Sequence, residues 1–403
     1  MEITQKASIR NLLLIRVYYF FYFGAMGAVS PFVNLFYIQN GLTGTQIGLL
    51  GTISALVGFL SAPVWGRLND VARRPRVVLQ IALCLNSLAY YLLSLQQAFL
   101  YMAIIIAFNA LVSSGINPQS QTQALAAAGE VGAGYGSIRM VGSIGYSITA
   151  AVSGYLIQQT SLATGFIGFA VLNVISAIIL FTIRTPKKAS KSPQSTPAQP
   201  KISMRQVFVE ITKNSELMAY TVVVIVISIL ANGVTFESVY MQRLGASESL
   251  IGQLGTFGAL IEIPMMLLAD RVQRRKGSTL TLIYSFIFYA TGFSIIVIHP
   301  SIPSFFIFRF INAIGFSLYA VSCTYFVVER APGQQIATIL AVFSVTISSI
   351  VNMIASPISG KLFDLVGPYW LFVNAMVGYI IAVAIIYFKV VRHEKTPLSE
   401  SRP

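Results

Sequence analysis

Gly66-Arg67-Leu68-Asn69-Asp70-Val71-Ala72-Arg73-Arg74-Pro75-Arg76 is a knot of charge between two long apolar runs. Residues 45–65 before it and 77–96 after it hold no charged side chain. Runs of about 20 apolar residues are what a helix needs to cross the hydrocarbon core of a bilayer. Backbone in lipid has no water to bond, so each run is expected to be a helix that satisfies its own N–H and C=O groups. Four basic residues in so short a turn place it on the cytoplasmic face.

The same pattern extends over the chain. Further apolar runs lie near 12–38, 99–125, 136–158 and 163–183, then 217–241, 250–269, 278–298, 303–327, 337–358 and 369–390. They are continuously apolar rather than alternating, which excludes a membrane β-barrel. Only 10% of the 403 residues are charged and 55% are hydrophobic, against about 25% charged in a soluble domain. The expected fold is an all-α membrane protein of twelve transmembrane helices. The first run is too long for a signal-peptide core and is expected to stay as the first span.

Between the two sets of runs, Arg184 to about Lys213 carries Pro186, Pro193, Pro197 and Pro200 among Ser, Gln and Lys. Such a segment buries no core and reads as a flexible linker. It divides the chain into two six-helix halves, 1–183 and 216–403, joined by 184–215, with a short tail after the last span.

Basic residues alternate from loop to loop. One side collects Lys6, Arg10, Arg67, Arg73, Arg74, Arg76, seven Lys and Arg of the linker, Arg271, Arg274, Arg275, Lys276, Arg330, and Lys389, Arg392, Lys395 and Arg402 of the tail. The other side has only Arg243 and Lys361. This predicts that both termini and the linker are cytoplasmic. It also explains the net charge of +14 without a nucleic-acid partner. Cys84 and Cys323 both lie in apolar runs and read as free thiols. No metal-ligand cluster or nucleophile–base set occurs in the spans, so neither a cofactor nor an enzyme is expected.

The halves repeat each other. Ile47-Gly48 with Gly51 recurs as Ile251-Gly252 with Gly255, and Ser153-Gly154-Tyr155-Leu156 as Ser359-Gly360-Lys361-Leu362, both about 200 residues on. Asp70 with Arg73 and Arg74 is echoed by Asp270 with Arg274 and Arg275. Parallel duplication of six helices, with a substrate held at the midplane, is one way an alternating-access carrier is built.

The opening segment, with Gly66, Asp70, Arg73 and Arg74, resembles the cytoplasmic gating motif of the major facilitator superfamily. Asp270 and Arg274 form its weaker second copy, and Pro75 stands near the motif's usual last glycine. Such an Asp can face a helix N-terminus or an arginine and lock the inner gate. Tyr22 to Phe32 of the first span and Tyr135 to Tyr146 of the fifth resemble the branch that holds lactose permease, the phenylpropionate permeases and nucleoside symporters. The resemblance implies a major facilitator fold and transport of a small organic solute.

A charge within a span is costly and persists for a reason. By the resemblance, Arg139 stands where a sugar-binding arginine is found, and the partner carboxylate on the fourth span is replaced by Gln121. Glu262 lies inside the eighth span, and a carboxyl there can load and unload a proton. It is the expected proton-coupling residue. Arg309 on the tenth span is expected to pair with Glu262 or to contact substrate. Asn312 takes the place of a relay residue of that branch. Arg139, Arg309, Gln121, Asn312 and Tyr22 are thus the expected substrate-binding set. Arg16 and Glu237 read equally as charges at span ends. The function expected is a proton-coupled symporter in the plasma membrane, a monomer in the lipid bilayer, with an exporter of the same fold as the alternative. A non-transporting receptor is disfavoured because no large soluble domain is present. Sugar, nucleoside and aromatic acid all remain open as substrates.

Overall fold

The computed structural model describes residues 2–72, 74–183, 204–332 and 336–391. Among these residues the regular structure is helical: α1 (Glu2–Val29), α2 (Val33–Gln39), α3 (Gly44–Val71), α4 (Pro75–Ser94), α5 (Phe99–Ser113), α6 (Ile116–Glu130), α7 (Tyr135–Gln159) and α8 (Ala163–Thr182) before the linker. After it come α9 (Met204–Lys213), α10 (Ser215–Leu230), α11 (Glu237–Arg243), α12 (Glu248–Ile298), α13 (Ile302–Arg330), α14 (Ile336–Ala341), α15 (Ser348–Val366) and α16 (Pro368–Ile386).

Ten of the described helices are long and apolar enough to cross a membrane. One of them, α12, runs for 51 residues but is not helical at Gly277, where φ is +79°. Only glycine enters that backbone region freely. A twelve-crossing count requires α12 to be split there and the run 336–366 to cross as well.

Local breaks follow from the residues present. α1 ends at Val29 because Pro31 cannot continue a helix, and the crossing resumes as α2. Gly115 separates α5 from α6 and lets the Trp65 ring lie where a Cβ would sit. Pro75 is at the first turn of α4, where its missing N–H is not needed. α9 revises the expectation of a linker flexible to Lys213. Residues 204–213 are helical, and Ile211 packs into the apolar core of the second half.

Three apolar cores organise the molecule. Tyr18, Leu83, Ile138 and Leu180 belong to a core of first-half residues alone. Tyr220, Phe286, Phe326 and Ile386 belong to one of second-half residues alone. The third mixes both, with Phe36, Leu50 and Phe166 against Phe236, Met241, Phe363 and Phe372. The mixed core lies at the end of the bundle away from the linker; the two separate cores lie at the linker end. The halves are therefore fastened at one end.

The repeated glycine motifs make that fastening. α3 lies on α15, and α7 on α12. A Cβ on Gly48 would strike the Ser356 carbonyl, and one on Gly252 would strike the Ala150 carbonyl. A Cβ on Gly154 would come 2.6 Å from the Glu248 carbonyl, and one on Gly360 would strike Gly44. Thr52 donates to the Met353 carbonyl at 2.8 Å, and Thr256 donates to that of Ser147 at 2.6 Å. Gly154 and Gly252 thus meet at one crossing, and at the other Gly48 meets Ser356 while Gly44 meets Gly360. Helices in lipid associate through such small-residue contacts.

Candidate functional site

The charges that the spans could not avoid meet where the two halves come together. Arg139 is on the second turn of α7. Its guanidinium lies 4.0 Å from the centre of the Phe23 ring on α1. Phe23 can take that place because Gly142 has no side chain to block it. A cation over an aromatic face gains from the ring quadrupole, more so out of water.

Glu262 lies on α12 two residues before Pro264. A proline inside a helix frees a carbonyl one turn back and bends the axis. Glu262, Arg139, Ser143, Tyr146 and Arg309 line one cavity of about 170 Å³. Glu262 thus shares its cavity with both guanidinium groups. Among the described residues it makes no direct ion pair of its own.

Arg309 of α13 bonds to Glu237 instead, through Nη2 and Oε2. This settles one of the two sequence expectations against Glu262 as the ion-pair partner. The physical reason is a break in the seventh segment. The chain leaves α10 at Leu230, passes through a 3-10 turn from Asn232 to Phe236, and starts α11 at Glu237. That turn brings Glu237 into the interior, where it is 8% exposed, at a helix start that favours an acid. The turn's mark in the sequence is the pair Asn232-Gly233; read without it, Glu237 is one of the charges near a span end.

Arg309 is shared by three cavities. Beside the first are one of about 220 Å³ with Glu262, Asn312, Tyr289 and Tyr379, and one of about 470 Å³ with Glu237, Tyr146, Asn232 and Asn352. Three atoms around these spaces, Arg309 Nε, Glu237 Oε1 and Asn312 Oδ1, are buried with no hydrogen-bond partner in the protein. Buried polar groups are nearly always bonded, and exceptions cluster at working sites.

The other expected residues divide. Asn312 is in the cavity beside Arg309 and Glu262. Gln121 is exposed on α6 and does not line the cavity of Arg139 and Glu262. Tyr22 is 3% exposed, stacked on Tyr18 at 5.8 Å, and donates to Asn117 Oδ1 at 3.4 Å. It packs the first-half core instead of facing the cavity. Arg16 donates to Ser137 at 3.1 Å.

At the gating motif, Gly66 has nothing within 4 Å of its missing side chain. Arg74 is the exposed residue before α4. The Asp70 side chain and Arg73 lie outside the described residues. Asp270 and Arg274 pair at 2.8 Å within one helix, 41% and 77% exposed. An exposed pair of that kind contributes a few tenths of a kcal/mol, and it ties no two helices together.

An aspartate does cap a helix across the halves, but at the opposite end. Asp364 of α15 accepts from the Gly44 N–H at 2.6 Å, the Thr45 N–H at 2.8 Å and the Thr45 hydroxyl at 2.7 Å. Thr43 and Gln46 complete the start of α3 with a capping box. Free N–H groups at a helix start carry partial positive charge, so a carboxylate there is well placed. Asp364 was not singled out from the sequence. Its signal was its place four residues after Gly360, in the repeated motif that packs on Gly44.

Comparison with known proteins agrees with this architecture. The MFS_1-like family matches residues 12–374. The maltose permease of Geobacillus stearothermophilus is 24% identical over 329 residues, which cover 81% of this chain and 82% of that one. The probable 3-phenylpropionic acid transporter of Escherichia coli (strain K12) is 24% identical over 364 residues, 89% of this chain and 93% of that one. The crystal structure of the nucleoside transporter NupG superposes with a TM-score of 0.80 at 14% identity, covering 96% of this chain and 100% of that one.

Proposed function

Because this chain belongs to the MFS_1-like family, and so is a multi-pass membrane transporter of the major facilitator superfamily and not an enzyme, we propose that it is a proton-coupled symporter of a small organic solute. The observation that carries the reading is Glu262, a carboxyl between the guanidinium groups of Arg139 and Arg309 with no direct ion pair of its own among the described residues. Arg309 already has Glu237. Glu262 is thus the carboxyl in this cluster whose charge can change without breaking a fixed pair.

Arg139 comes from the first half and Glu262 from the second. Charged, Glu262 draws Arg139 across the junction. Neutralised by a proton, it leaves Arg139 to a polar group of the solute. A change of one charge in a low-dielectric cavity is worth far more than in water. Movement of the halves then carries proton and solute together. The positive-inside pattern supports a cytoplasmic linker and termini in the plasma membrane, and the reading takes the monomer as the transporting unit. In that orientation the mixed core closes the outside and the cavity faces in. No bound cofactor enters the cycle, and the proton is the coupling ion. The relatives' names cover a sugar, an aromatic acid and a nucleoside.

The test is uptake into proteoliposomes under an imposed inward pH gradient, with maltose, 3-phenylpropionate and uridine as probes. We expect one of them to accumulate with the gradient. In Glu262→Gln, gradient-driven accumulation is lost while exchange of internal for external solute persists. Accumulation that still follows the pH gradient in Glu262→Gln would remove the residue from this role.

A further inference from the structure

A fourth cavity, of about 450 Å³, lies toward the closed end of the bundle. That volume is within the roughly 300–1,000 Å³ of small-molecule sites. No charged side chain lines it. Its polar wall is made of Asn34, Asn109, Asn232 and Ser54, and its apolar wall includes the rings of Tyr37 and Tyr90.

The asparagines are set by fixed bonds. Asn173 of α8 is fully buried and Asn86 of α4 is 2% exposed. Asn173 donates to Asn86 Oδ1 at 2.8 Å, and Asn86 donates to Asn109 Oδ1 at 2.6 Å. Amides buried in an apolar bundle are costly unless bonded. In this ladder through three helices the Asn109 oxygen accepts from Asn86, and its amide nitrogen bonds the Tyr90 hydroxyl, which leaves one N–H for the cavity. Asn34 is oriented the other way, because its N–H donates to the Thr235 carbonyl at 2.6 Å. Asn232 donates to Asn352 Oδ1 at 3.1 Å. Each therefore keeps its oxygen as an acceptor, beside one further N–H.

We propose that this cavity is a subsite for an uncharged, hydroxyl-bearing ring, of the sugar or nucleoside class. The wall offers a donor at Asn109 and acceptors at Asn34 and Asn232. A hydroxyl both donates and accepts, so it satisfies all three. A carboxylate only accepts, so it would give the two amide oxygens no donor, and no cation lines this cavity. The Tyr37 and Tyr90 rings supply flat surface for the C–H face of the ring. The inference rests on the transport reading above and names its substrate class. The cavity shares Ser30, Asn232 and Thr235 with the space that reaches Arg309, so solute held here is next to the coupling cluster.

The experiment is ligand binding to the full-length protein purified in detergent, by calorimetry, with maltose, uridine and 3-phenylpropionate as probes. Maltose or uridine should bind to the wild type, and 3-phenylpropionate should not. Asn34→Ala and Asn109→Leu should each weaken that binding about tenfold, the loss of one good hydrogen bond. Asn34 takes no part in the buried ladder, so its variant guards against a folding defect in Asn109→Leu. Binding of neither neutral probe, or binding unchanged in both variants, overturns the subsite. pH-driven, Glu262-dependent uptake of 3-phenylpropionate without binding of maltose or uridine would overturn it and leave the symport reading intact. Binding of maltose or uridine whose uptake ignores the pH gradient would do the reverse.

Discussion

Arg309 bonds Glu237 and faces Glu262, and that division of labour governs the site. The side chains of the pair are 38% and 10% exposed. Removing one partner leaves a charge inside the bundle without its counter-ion. We expect Glu237→Gln to cost about 1–3 kcal/mol, read as a lower melting temperature in detergent. Arg309→Met combined with Glu237→Leu should recover part of that loss, because replacing both partners removes the orphan. A double variant less stable than either single variant would contradict the pairing. Arg139 differs, since it is exposed to the cavity and touches Phe23. Arg139→Ala should melt near wild type yet lose at least about tenfold in uptake rate, the scale of one charge-assisted bond. Normal uptake in that variant would exclude Arg139 from the cycle. The individual charges were legible because an ionised group in an apolar run stands out. Their pairings were not, because Asn232-Gly233 marks a turn in the seventh run without saying which way it aims Glu237.

At the scale of elements, the glycine motifs and Asp364 hold α3 to α15 and α7 to α12. A side chain at Gly252 would meet the Ala150 carbonyl, and backbone cannot step aside as a flexible side chain can. Gly252→Val should therefore keep the halves from closing at this end. Cysteines introduced there, in a background without Cys84 and Cys323, should label faster with an external thiol reagent. Asp364→Asn loses the charge from the cap but keeps one acceptor oxygen. It should raise labelling less than Gly252→Val does. A cap exchanging an ionised for a neutral side chain loses on the order of 1 kcal/mol, which means a several-fold change in the open population. Unchanged labelling in both variants would show that these crossings do not gate. The repeats were readable in the sequence as duplication. That Gly154 meets Gly252 across the halves, and Gly44 meets Gly360, needed the structure, because a repeat says nothing about its partner. Most helix limits were readable to within a few residues, but α1 begins ten residues before the first apolar run, and α3 and α15 continue six and eight residues past theirs. The breaks at Ser30-Pro31, Gly115 and Asn232 were not foreseen. The helix at 204–213 was masked by its own polarity, with Ile211 as the side chain that docks it.

For the molecule as a whole, one shared core and two separate ones describe a carrier caught closed at one end. The mixed core and the glycine crossings are the part that must come apart for the other state to form. The charged cluster and the asparagine cavity lie between that end and the linker end, where a moving junction can expose them to each side in turn. The measurement that tests this most directly is a pair of spin-label distances in lipid nanodiscs. One pair, Gln97→Cys with His299→Cys, reports the closed end; the other, Glu130→Cys with Lys276→Cys, reports the linker end. The account predicts two populations whose distances move in opposite senses, with the longer closed-end distance growing when solute and pH are changed together. A single fixed distance at both ends under every condition would contradict it.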